Sequence, residues 1–69
     1  MEVRALKCKD GTRWSVSAPA RSSLVRLDVV FESLDEPGLM LRGEAVAADI
    51  SELTDKELCF LLEEVRAAG

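Results

Sequence analysis

Alternation of apolar and polar positions runs through the first two thirds of the chain and gives way to a helical period in the last third. The clearest alternation covers Leu24 to Ser33, with Val25, Leu27, Val29 and Phe31 on one side and Arg26, Asp28, Val30 and Glu32 on the other. Before it, Asp10-Gly11 separates two shorter strand-like runs and suits a two-residue type I′ turn. That turn sets Lys7 opposite Trp14, Ala5 opposite Val16 and Val3 opposite Ala18. The expected core face is then Val3, Ala5, Trp14, Val16 and Ala18, and Arg4, Leu6, Cys8, Arg13, Ser15 and Ser17 form an outward strip. Pro19, which has no N–H to donate, predicts the end of the second strand, with Ala20 to Ser23 as a loop.

After a reversal at Asp35-Glu36-Pro37-Gly38, Leu39, Leu41, Gly43, Ala45 and Ala47 alternate with Met40, Arg42, Glu44 and Val46. A loop of Glu36 to Gly38 sets Glu32 opposite Arg42. A loop longer by two sets Asp28 opposite Glu44, a like-charge pair, so the shorter loop is preferred. From Thr54 the period changes. Thr54 and Glu57 form a capping box, and Leu53 and Leu58 a hydrophobic staple, for a helix starting at Asp55 and running to about Ala67, with Gly69 closing the chain. Leu58, Leu61, Leu62 and Val65 share one helix face.

These elements predict one α+β domain over residues 1–69: a four-stranded, mainly antiparallel meander sheet with one C-terminal helix packed on one face, in the order ββββα. A small curled barrel capped by the helix is the alternative. No internal repeat, linker or low-complexity segment divides the chain. At 69 residues the core is small, which makes help from a partner or a second copy valuable.

Composition narrows the chemistry. The chain has no His, Asn, Gln or Tyr, so Cys8 and Cys59 lack companions for a zinc site, and Ser15, Ser17 and Cys59 have no imidazole to activate them. No Gly-rich phosphate loop and no metal-binding carboxylate cluster is visible. The expectation is a non-enzyme without cofactor or metal. No apolar run approaches the roughly 20 residues that cross a bilayer, and Met1-Glu2-Val3-Arg4 does not begin a secretory signal. A cytoplasmic location without membrane contact follows, with both cysteines reduced and packed as small apolar side chains.

Charge is divided by position. Residues 1–26 carry six Lys/Arg against two Asp/Glu, and residues 27–69 carry three against eleven, for net charges of +4 and −8. Such asymmetry points to association rather than to a reaction. Phe60 is the candidate anchor, because it points about 160° away from the Leu58/Leu62 stripe and falls among Lys56, Glu63 and Glu64. The bland reading tucks Phe60 under the Ala48–Leu53 loop or leaves it as a tolerated exposed residue. The leading expectation is a small non-catalytic protein-interaction or assembly module that binds a protein partner or a second copy of itself through Phe60, Lys56, Glu63 and Glu64. The alternative is a nucleic-acid adaptor in which Trp14 stacks on a base and Lys7, Lys9, Arg13 and Arg21 hold phosphates.

The Asp10-Gly11-Thr12-Arg13-Trp14 turn and the Leu53-Thr54-Asp55-Lys56-Glu57-Leu58 helix start, about a sixth of the chain, resemble short bacterial proteins of unassigned function. Those proteins pair a D-G-x-x-W hairpin with a terminal L-[ST]-x-x-E-L helix. The resemblance implies a free-standing bacterial domain and no particular activity.

Overall fold

A computed structural model describes residues 3–68. Four strands, β1 (Val3–Lys7), β2 (Arg13–Ser23), β3 (Arg26–Ser33) and β4 (Met40–Val46), form an open antiparallel sheet in the order β1-β2-β3-β4. A 3-10 turn at Ile50–Glu52 leads into α1 (Asp55–Ala68), which lies on one face of the sheet. The ββββα meander expected from the periodicity is therefore the observed fold. The helix, expected to run to about Ala67, reaches Ala68, and Gly69 lies outside the described residues.

The helix start forms as its residues dictate. Thr54 Oγ1 accepts from the Glu57 N–H at 3.1 Å, and a Glu57 carboxylate oxygen accepts from the Thr54 N–H at 3.0 Å. Leu53 and Leu58, the staple pair, are both buried, as is Leu62. Trp14, Val16, Leu27, Val29, Phe31 and Ala45 meet this helix face from the sheet. The helix rests chiefly on β4 and β1, the two edge strands, which means that the sheet curls around it.

The first hairpin corrects the expected register by one residue. Gly11, at φ +87°, donates to Cys8 O, and the Cys8 N–H donates to Thr12 O, each at 3.0 Å. This is a three-residue turn over Lys9, Asp10 and Gly11 with a glycine bulge, an alternative that an Asp-Gly pair serves equally well. Leu6 consequently faces Trp14, Arg4 faces Val16 and Lys7 faces Arg13. One step reverses every side chain of β1, so Leu6 is buried while Val3 and Ala5 are exposed. Leu6 carries three more carbons than Ala5, and burying it in Ala5's place is worth about 2 kcal/mol at about 0.8 kcal/mol per methylene.

Two further registers depart from expectation. β2 does not stop at Pro19 but continues to Ser23, with irregularities between Ser17 and Ala20 and between Arg21 and Ser23. Three residues of β2 advance there against two of β3, so Pro19 falls where the ladder is already interrupted and its missing N–H removes no bond. The turn to β3 then shrinks to Leu24 and Val25. Between β3 and β4 the longer loop is formed, pairing Glu32 with Met40 and Asp28 with Glu44. The like-charge contact is offset because Arg26 Nη1 binds Glu44 Oε1 at 2.9 Å. Asp35 anchors the loop by accepting from the Arg13 backbone N–H at 2.9 Å and from its guanidinium at 2.8 Å. Gly43 decides the fit beneath the helix: a Cβ there would stand 2.9 Å from Val65 Cγ2 and 3.2 Å from Leu61 Cδ1.

Candidate interaction surface

Reversal of β1 brings its polar residues under the helix. Cys8 and Cys59, expected as separate thiols, form a disulfide across a separation of 51 residues, with Cα atoms 5.8 Å apart. The pairing needs Cys8 on the helix side of β1, which the observed register provides and the expected one denied. Neither sulfur is then a free nucleophile. Arg4 reaches over from the same side: its guanidinium donates to Ile50 O at 3.2 Å, to Leu53 O, and to Asp55 Oδ1 at 2.5 Å. It thereby ties the 3-10 turn and the helix start to β1. Glu52 Oε2 completes this connection by accepting from the Ala48 and Asp49 N–H groups at 2.8 and 3.2 Å.

The residues proposed for phosphate and base contact are dispersed or engaged. Trp14 is 1% exposed, its indole N–H bonded to Thr12 Oγ1 at 2.9 Å and its ring beneath the Arg66 guanidinium at 5.9 Å, so it offers no stacking face. Arg13 is bound to Asp35. Arg21, expected in a loop, lies in β2 and donates to Ala48 O at 2.9 Å. Lys7 and Lys9 remain exposed beside the first turn. The basic hairpin thus supplies cations without an aromatic platform, and the burial of Trp14 follows from its place opposite Leu6.

On the outer helix face Phe60 is 63% exposed and stands as a ridge between two hollows. The first, about 430 Å³, lies between α1 and β4, with Ala45, Val46, Leu53 and Leu61 as its apolar lining and Lys56 and Glu64 at its border. The second, about 390 Å³, lies between α1 and the first turn, bordered by Lys7, Lys9, Lys56 and Glu63, with Cys8 and Cys59 among its walls. All four residues expected at a partner contact therefore gather on one side of α1, Glu64 toward β4 and Glu63 toward β1.

Three carboxylates are held below their ordinary acid range. Hydrogen bonding to the Thr12 hydroxyl, then to its N–H, does this for Asp10, which also faces Arg66. The Arg13 guanidinium, then its backbone N–H, does so for Asp35. The Thr54 N–H, then its hydroxyl, does so for Glu57. Glu57 thus carries its charge beside the first hollow at every pH near neutrality. Among the described residues no group of three His, Cys, Asp or Glu is placed to hold a metal ion, and no helix is long and apolar enough to cross a membrane.

Sequence reasoning placed Phe60 but missed the open edge of β4 beside it. Ser33 donates to Leu39 O and Ala47 to Val25 O, at 3.0 and 2.8 Å, so the odd-numbered residues of this segment turn their backbone toward β3. Met40, Arg42, Glu44 and Val46 turn their N–H and C=O groups outward. Exposed large apolar side chains gather along the same margin: Met40 and Val46 on β4 itself, and Val25, whose backbone pairs with Ala47. The signal was present in the meander order, which makes the last strand an edge. No protein-family profile matches the chain, and no curated protein or solved structure matches it significantly.

Proposed function

We propose that this chain is a small non-catalytic interaction and assembly module whose contact surface is the outer face of α1 together with the margin of β4. The observation that carries the reading is Phe60. A helix whose other large apolar residues, Leu58, Leu61 and Leu62, face the sheet leaves this ring on the opposite side, between two hollows. Aromatic side chains in such positions supply much of the binding energy of protein interfaces. Lys56, Glu63 and Glu64 around it form the charged rim that steers and selects a partner.

The bonded Cys8–Cys59 pair favours an oxidising setting over the reducing cytoplasm expected from the sequence. Catalysis has little support: the two sulfurs are joined, and the exposed carboxylates Asp10, Asp35 and Glu57 have their acidities strengthened rather than tuned toward neutral pH.

The test is site-specific photo-crosslinking in the cells that make the protein. A benzophenone amino acid at position 60 should yield a discrete adduct, with the chain itself or with another protein, and reversing Lys56 and Glu64 should diminish it. The same probe at Ala5, exposed on β1 at the opposite edge of the sheet, is the reference. A yield at position 60 no higher than at position 5 would overturn the reading.

A further inference from the structure

We propose that two copies of this chain join β4 to β4 as antiparallel neighbours about a two-fold axis at Gly43, with Arg42 of each copy opposite Glu44 of the other. The inference rests on the interaction-module reading and assigns it a partner, a second copy, and a register.

Backbone parity limits the choices. Only Met40, Arg42, Glu44 and Val46 turn hydrogen-bonding groups outward, so a symmetric pair must set even-numbered residues against even-numbered residues. Three registers lie near the middle of the strand. One sets Arg42 opposite Arg42, and another sets Glu44 opposite Glu44; each opposes like charges at the axis. The third sets Arg42 opposite Glu44 twice and Met40 opposite Val46 twice. It also uses the whole span from Met40 to Val46, so every outward N–H and C=O of β4 finds a partner.

The exposed surface agrees with this third arrangement. Met40 is 53% and Val46 is 74% exposed in the single chain, one at each end of β4, and the antiparallel pair centred on Gly43 brings them together. Charged side chains on an edge strand ordinarily discourage pairing. Here the two charges are opposite in sign and two residues apart, so an antiparallel copy neutralises both, while Arg26 already supports Glu44 from β3 at 2.9 Å. The other edge lacks this property. β1 turns Val3, Ala5 and Lys7 outward, and Lys7, the charged one of these three, finds no opposite charge in a second β1.

Glu57 and Glu64 stand beside the groove next to β4 and oppose the close approach of two helices. Association is therefore concentration-dependent rather than obligate.

Sedimentation equilibrium from micromolar to millimolar protein tests the proposal. Wild-type mass should rise toward twice the monomer value. Arg42→Glu and Glu44→Arg should each weaken self-association about tenfold or more, since each places two like-charge pairs in the seam. An equimolar mixture of the two variants should recover wild-type association, because each then meets its complement. Circular dichroism establishes that both variants are folded, and recovery in the mixture cannot come from variants that merely fail to fold. A wild type that stays monomeric to millimolar concentration, or a mixture that associates no better than its components, overturns the β4 pairing. Either result leaves the broader reading to the position-60 crosslink, which does not require β4 to pair.

Discussion

The two margins of the sheet meet the same helix by different means. The β1 margin is bound to α1 covalently through Cys8, the residue after the strand, and Cys59, and by the Arg4 guanidinium, which holds the Ile50 and Leu53 carbonyls and Asp55. β4 is held by close apolar contact, Gly43 beneath Leu61 and Val65, with no hydrogen bond or ion pair to α1 among the described residues. The contrast shows how a chain with a small core divides its tasks. A disulfide and charged hydrogen bonds fix the helix to the first margin, and apolar contact alone seats it on the second, although both edge strands keep a row of backbone groups open.

The largest expected effect breaks the β1 side. Closing a loop of some 50 residues restricts the unfolded chain enough to stabilise the fold by about 4 kcal/mol. Reduction, or Cys8→Ala with Cys59→Ala, should therefore lower the melting temperature by roughly 15 to 30 °C. Calorimetry with and without reductant measures this, and a shift of only a few degrees would show that the tether contributes little to β1–α1 docking.

Next in size is a change on the β4 side. Gly43→Val inserts three carbons where even a Cβ stands 2.9 Å from Val65 Cγ2, and overpacking of this kind costs about 2–3 kcal/mol. Adding Val65→Ala should return part of that loss. Denaturant midpoints of the single and double variants decide it, and equal losses in both would mean that the helix does not pack here as closely as described.

The smallest effect sharpens the contrast by separating polar from covalent anchoring. Arg4→Met keeps most of the side-chain stem but removes the bonds to the Ile50 and Leu53 carbonyls, for an expected cost of about 1–2 kcal/mol. Its mark should be local: faster amide exchange in residues 50–57 with β3 unchanged. Uniform loss of protection across the sheet would contradict a clamp confined to the helix approach.

How much of this was readable in advance varied by element. α1 was placed to within a residue at its start because a capping box and staple are satisfied by neighbours in sequence. The faces of β4 were also placed, since a shift of two residues preserves them, but its pairing with β3 was not. Local charge favoured Glu32 opposite Arg42, whereas Asp35 bound to Arg13 and Gly43 seated under the helix selected the longer loop. β1 failed differently. Asp10-Gly11 serves a two-residue or a three-residue turn, and a slip of one reverses the strand, carrying Cys8 and Arg4 from the outer face to the helix.

From the order of residues alone came four strands, a capped helix and an aromatic ring stranded on its outer side, because alternation, helical period and capping are properties of near neighbours. Which face of β1 is buried, that Cys8 meets Cys59, and which backbone groups of β4 remain open depended on the assembled sheet. Those outcomes turn on contacts between segments tens of residues apart, where a few kcal/mol of burial or packing outweighs the preference of any single turn.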